Sequence, residues 1–197
     1  MSFAATGNDL VWPLVGTGLR SMMAARRGRS LRMETNVRLR PAAEADWPLV
    51  HRLIIEAFRE YEGVLIPQSG ALRETVASIR ETVAGRGGAL IAETRDGAVA
   101  LGTALHYVVD DHLYVGRVSV IPAGRGLGVG KAMMLAMERI AREANVDEVR
   151  VSVRLSLPGN VRFYERLGYE AYAHLFYPER TDSWYEMRKR LGAAEHG

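Results

Sequence analysis

Residues 118–144 read VSVIPAGRGLGVGKAMMLAMERIAREA: a β-branched apolar run, then four glycines and an arginine, then a helix-like run with Met133, Ala136, Met137 and Ile140 on one face. The four apolar residues read as core. The junction between the two runs is where ligand chemistry is expected. A glycine-rich turn leaves main-chain N–H groups bare, and the first turn of the following helix adds its own unpaired N–H groups and the positive end of its dipole. Such a concavity takes an anion of phosphate or pyrophosphate size.

Two nucleotide motifs fail on spacing. A P-loop needs glycine where Arg125 stands and Ser or Thr where Ala132 stands, and a dinucleotide fingerprint needs glycine at Val129 or at Lys131, depending on where it starts. Just before the junction, Leu113 and Val115 share one strand face, yet Val118 and Val120 continue the apolar set one residue out of phase. Gly116 and Arg117 lie at the slip. Two readings stay open: a β-bulge, which would bend the strand and expose backbone to a ligand, or an edge strand with imperfect alternation.

Working outward, strand and helix patterns alternate from Val37. VRLRP reads as a strand closed by Pro41, and AEADWPLVHRLIIEAFREYEG as a helix with Leu49, Leu53, Ile54 and Phe58 at helical spacing. After the loop LIPQSG, the stretch ALRETVASIRETVAGRGG reads as a second helix ended by glycines. ALIAET, AVALGTALHYV and HLYVGRVSVI then form three antiparallel neighbours joined by RDG and VDD turns. Beyond the long helix, VRVSVRL alternates as a half-exposed strand, VRFYERLGYE gives a short helix, and EAYAHLFYP and SWYEMRKRL give two last strands.

Length and composition limit what this order can build. A chain of 197 residues with 48% hydrophobic content supports one domain, and the lack of cysteine excludes disulfides, thiolate metal sites and an acyl-cysteine intermediate. Residues 1–33 hold five arginines against Asp9, which leaves 21 basic and 22 acidic side chains for residues 34–197. The domain therefore has no basic footprint for nucleic acid; a positive field belongs to the arm alone. That arm is interrupted by Pro13, Gly16, Gly18 and Arg20, which suits neither a secretory signal nor a membrane span. It is read as a disordered extension or an upstream start before Met33, with a transit peptide as the other option. The expected organisation is an extension over 1–33 and one domain over 34–197, in a cytoplasmic protein with no membrane partner.

The run from Arg125 to Gly130, RGLGVG, preceded by Pro122, resembles the acyl-CoA-binding signature Q/R-x-x-G-x-G/A of the GNAT superfamily of N-acetyltransferases. FYERLGY at 163–169 is similar to the family's second CoA-contacting segment, a tyrosine four residues before a Gly-aromatic pair. One departure stands: the family often carries asparagine seven residues before that tyrosine, where this chain has Leu157, and Asn160 lies four before it. The likeness spans Val37 to about Leu191. It implies an α/β fold with a mixed, largely antiparallel central sheet and helices on both faces.

The resemblance also implies roles. Main-chain groups of Val118, Ser119 and Val120 would pair with the pantetheine arm and acetyl carbonyl of acetyl-CoA, a co-substrate. The amides of Arg125, Gly126, Leu127, Gly128, Val129, Gly130 and Lys131 would cradle its pyrophosphate. Asn160 would reach the pantetheine and Tyr164 would protonate the leaving thiolate, with no metal involved. Residue by residue, Tyr164 also reads as a packing aromatic, Asn160 as a helix cap and Arg125 as a surface arginine.

Several relatives carry a glutamate base at about the position of Tyr114, whose phenol, with a pKa near ~10, is a poor base at neutral pH. By type, His106, His112, Asp110, Asp111, Glu60 and Asp182 are the alternatives. The acceptor would be a small-molecule, peptide or protein amine, shaped by residues 61–73, with Glu56, Glu60 and Glu62 favouring a cation. A homodimer is compatible with the sequence. The rival class is a noncatalytic acyl-CoA-binding sensor or interaction module of the same fold.

Overall fold

The computed structural model describes residues 37–192. The extension expected over 1–33 lies outside the described residues. Seven strands form one sheet: β1 (Val37–Pro41), β2 (Gly87–Thr94), β3 (Ala100–Val109), β4 (His112–Val120), β5 (Glu148–Arg154), β6 (Glu170–Phe176) and β7 (Ser183–Arg190), in the order β1-β2-β3-β4-β5-β7-β6. Every neighbouring pair is antiparallel except β4 and β5. Four α-helices flank it: α1 (Trp47–Phe58), α2 (Val76–Thr82), α3 (Val129–Glu143) and α4 (Pro158–Arg166). This is the mixed, largely antiparallel α/β architecture expected.

Each sheet face carries its own core. On one face, Met133, Met134, Met137 and Ala141 of α3 and Tyr164 of α4 pack on Leu113, Val115, Val118, Val120, Val149, Val151 and Val153. On the other, Val50, Leu53, Ile54 and Phe58 of α1 and Ile79 of α2 pack on Ala89, Ile91 and Leu105. The second helix of the sequence reading is divided. Residues Gly70–Arg73 form a 3-10 turn, and α2 starts afresh after Thr75, whose Oγ1 accepts from the Ser78 amide at 3.0 Å while Ser78 Oγ accepts from the Thr75 amide at 2.9 Å. This reciprocal cap outcompetes a continuous helix. β5 also differs from expectation: Ser152 is 5% exposed and Arg154 fully buried, because the α1–α2 connection and the segment before β7 close over its polar face.

Beside β1, Arg40 Nε donates to Glu93 at 2.8 Å and its Nη1 donates to Asp46 at 2.5 Å, while Arg38 Nη2 donates to Glu93 at 2.7 Å. The bond from Arg40 holds the Asp46 carboxyl below its ordinary value against the opposing effect of burial. Burial by itself would raise Glu93, but the two guanidiniums outweigh it and the net shift is downward. Depressed carboxylates stabilise the fold fully above the ordinary range near pH ~4, and that contribution is lost as pH falls through their lower folded values. Glu93→Gln is expected to cost about 2 kcal/mol near neutrality and to flatten the fall in melting temperature below that pH; an unchanged acid profile would refute the assignment.

Candidate functional site

The site is built on a strand pair that comes apart. β4 and β5 pair only at Leu113 with Val149 and Tyr114 with Arg150. From there each strand runs on without the other, β4 held by β3 and β5 by β7. The phase slip in the sequence is a β-bulge: Leu105 of β3 pairs with Gly116 and Thr103 with Ser119, so β4 spends one residue more than β3 across the same span. Arg117 takes up the excess at φ 48°, and the extra residue returns Val118 and Val120 to the face of Leu113 and Val115. The Arg117 side chain is held as well, its Nε donating to Glu74 Oε1 at 2.8 Å with both side chains about one-tenth exposed. Main-chain groups of Val118 thus lie in the opened stretch, outside the β3 ladder.

Past β4, a 3-10 turn over Pro122–Gly124 leads into the glycine loop. Gly126 and Gly128 stand at φ 75° and 77°, in left-handed backbone that other residues rarely adopt, and Gly128 serves as the N-cap of α3. The first bond of the helix runs from the Ala132 amide to the Gly128 carbonyl at 3.0 Å, so the amides of Val129, Gly130 and Lys131 precede it. Arg125 departs from the sequence expectation. Its amide donates to the Pro122 carbonyl at 3.2 Å and its guanidinium grips Glu60 at 2.5 and 3.1 Å. The Arg125 amide is thus spent within the turn, and its side chain ties the loop to the end of α1.

Opposite the loop stands α4. A cavity of about 170 Å³ is lined by Gly126, Gly128, Val129, Gly130 and Lys131 from one side and Gly159, Phe163 and Arg166 from the other. Lys131 and Arg166 bring two cations to it. Arg166 was not singled out in sequence, where it reads as an ordinary basic residue in the last turn of a helix. Asn160 is 3% exposed and its Nδ2 is buried without a hydrogen-bond partner among the described residues. It does not cap α4, whose N-cap is Leu157 with no side-chain bond; Asn160 sits inside the first turn. Tyr164 is 4% exposed, its ring edge-on to Phe163 and Tyr169, and burial drives its phenol well above the ordinary value.

On the α1 side of the sheet, residues 62–74 arch over the parted strands. Arg154 Nη1 donates to the Pro67 carbonyl at 2.8 Å, its Nε bonds Asp182, and its guanidinium lies 4.7 Å from the Tyr177 ring centre. Of the candidate bases, Asp110 and Asp111 form the β3–β4 turn with His112 beside it, at the paired end of β4 and away from the opening. Asp182 is committed to Arg154 and Glu60 to Arg125. His106, opposite Gly88 in the ladder, is held below its ordinary pKa by burial and alternates with Tyr107, whose ring packs 5.2 Å from Tyr114. What the opening does contain is Tyr114, whose hydroxyl lies 2.8 Å from Ser152 Oγ, which in turn donates to Glu186 Oε1 at 2.6 Å. Glu186 was missed in sequence because in SWYEMRKR it reads as one polar position of an alternating strand.

Comparison with known proteins places this arrangement. Residues 47–169 match the acetyltransferase (GNAT) family. The chain belongs to that family. Among solved structures, the GNAT fold recurs in the ribosomal-protein-S18-alanine N-acetyltransferase from Escherichia coli, at 14% identity and TM-score 0.65, covering 82% of this chain and 97% of that one. A GCN5-related N-acetyltransferase from Kribbella flavida matches at 20% identity and TM-score 0.63, covering 79% and 98%. Spermidine N-acetyltransferase from Vibrio cholerae, solved with CoA and spermine, matches at 15% and 0.60, covering 80% and 97%. A search of curated proteins found no match.

The GNAT opening depends on the bulge, and the bulge on its ion pair. Arg117→Ala leaves Glu74 largely buried without its cation and is expected to cost roughly 3 kcal/mol in urea denaturation. A cost below about 0.5 kcal/mol would mean the strand holds the bulge unaided.

Proposed function

We propose that this GNAT member is an N-acetyltransferase that moves an acetyl group from acetyl-CoA directly to a primary amine. The observation that carries it is the convergence of the glycine loop and α4 on one small cavity, beside the parted strands and the orphaned Asn160 amide. The residues fit such a donor. The amides from Gly126 to Lys131, reinforced by the α3 dipole and the charges of Lys131 and Arg166, suit a pyrophosphate. Asn160 Nδ2 offers a donor to an amide-bearing arm, and the main chain of Val118, outside the β3 ladder, offers strand-like pairing to the same arm, continued on the β5 side of Ser119 and Val120.

An acyl carbonyl held against a fixed N–H of β4 is polarised toward an oxyanion, an interaction worth about 3 kcal/mol at comparable sites. Attack by the amine forms the C–N bond and releases CoA as a thiolate. Tyr164, kept protonated by burial, supplies the proton that the thiolate takes up. With no cysteine in the chain, acetyl passes without a cysteinyl intermediate. The acceptor would enter from the α1 side, beneath residues 62–74. Solved relatives named for spermidine and for a protein alanine suggest alkylamines and peptide N-termini as the first acceptors to try. The acidic set weakens as a cation pocket, since Glu60 is neutralised by Arg125 and Glu56 is exposed.

Saturating acetyl-CoA at about 100 times its dissociation constant is expected to stabilise the protein by about 2.7 kcal/mol in thermal unfolding. Gly128→Glu, which places a strained side chain and a negative charge in the cradle, should abolish that shift. No shift in the wild type would overturn the donor assignment. Tyr164→Phe should keep the shift and lower kcat about 100-fold; unchanged turnover would remove Tyr164 as the acid, and binding without turnover on any amine would favour a noncatalytic acyl-CoA sensor.

A further inference from the structure

Tyr114 occupies the last position at which β4 and β5 still pair, at the mouth of the opening. A phenol there is a poor proton acceptor by itself, yet its hydrogen bonds are directional. The Glu186 carboxylate can only accept, so the single proton of Ser152 points at Glu186 Oε1. Ser152 Oγ must then accept, and the Tyr114 proton points at Ser152. Every donor in the chain is aimed toward Glu186, which leaves the lone pairs of the Tyr114 oxygen as the acceptor at its outer end. Trp184 Nε1, donating to the same Glu186 oxygen at 2.7 Å, fixes the carboxylate in place.

We propose that Tyr114, Ser152 and Glu186 form a proton relay that draws a proton from the incoming alkylammonium, with Glu186 as its terminal acceptor. The inference rests on the acetyl-transfer reading above. The ammonium N–H bond breaks and its proton joins the Tyr114 oxygen; the Tyr114 proton passes to Ser152 and that of Ser152 to Glu186. The two hydroxyls end as they began, Glu186 is protonated and later releases its proton to water, and the nitrogen keeps a free lone pair. As the C–N bond forms and the C–S bond breaks, the nitrogen loses its second proton, which restores the Tyr164 phenol after Tyr164 has protonated the CoA thiolate. The charged and titratable groups around Glu186 and Tyr114 are Arg150 and Arg154 on β5, paired with Glu148 and Asp182; Arg188 on the Glu186 strand, paired with Glu170; Tyr172 on β6; Tyr107 on β3; and Arg117 on β4, paired with Glu74. Burial, first, and the nearby Glu186 raise the Tyr114 phenol, so it stays a donor to Ser152.

The relay makes Ser152 and Glu186 act through Tyr114, and its test must separate proton removal from packing. Glu186→Gln keeps an oxygen to accept from Ser152 and Trp184 but cannot take a proton; Ser152→Ala cuts the chain. The probe is a panel of spermidine, a peptide with N-terminal alanine and simple alkylamines, with rates measured from pH 6 to 10. Both variants are expected to keep the acetyl-CoA thermal shift and its KM, and to lose about 100-fold in kcat at pH 7. The loss should shrink as pH approaches the acceptor's ammonium pKa, about 10 for the alkylamines and about 8 for the peptide N-terminus, where free amine needs no acceptor. An unchanged kcat at pH 7, or an equal loss at every pH, overturns the relay while leaving acetyl transfer intact. A wild type that acetylates no amine overturns both.

Discussion

The structure depends on the refusal of β4 and β5 to pair beyond two positions. Parallel strands stay together only while their ladders keep step, and the extra residue at Arg117 turns β4 out of step just after Tyr114. The sheet survives because each strand keeps an antiparallel partner on its other side, β3 for β4 and β7 for β5. The cost of a positive φ at Arg117 is offset by the ion pair with Glu74, which also fastens the α1–α2 connection to the bulge. One inserted residue thus opens a slot through the sheet and pins the segment that roofs it.

Because the slot passes between two separately packed faces, its two ends have different chemistry. The α3 and α4 side presents main-chain N–H groups, two cations and an unpaired amide nitrogen, all of which stabilise negative charge. The other face presents the hydrogen-bonded run of Tyr114, Ser152 and Glu186, the path proposed for removing a proton. A donor and an acceptor approaching from opposite faces would meet at Val118, in the middle of the slot. Arg125 pairs with Glu60 just ahead of the roof over the slot and Arg154 donates to the Pro67 carbonyl within it, so both ends of the slot are tied to one connection.

Much of this was legible in residues 113–131. The phase slip left a bulge and an irregular edge strand both open; the fold takes the bulge because a core-facing set must return to its face, and only an added residue lets Val118 follow Val115 on one side. Glycines at 126 and 128 predicted a backbone cradle because their conformation excludes other residues. Less legible were features whose meaning lies in a distant partner. Arg125 reads as a phosphate contact until Glu60 is brought to it across the fold, and Asn160 reads equally as a cap or a cofactor contact until Leu157 is found in the cap position. The half-exposed pattern of β5 misled because its polar face is covered by residues some 30 or 90 positions away in sequence, Asp182 and Pro67.

The sequence by itself determined most of the elements, their order and the glycine loop between β4 and α3, since periodicity, caps and glycine conformations act over a few neighbouring residues. Only the tertiary structure decided which cations face the loop, which acids are already neutralised, and that Tyr114 has a carboxylate behind it. Those outcomes are set by strand register and by how far β4 and β5 part, both of which are settled by packing between segments that carry no local record of one another.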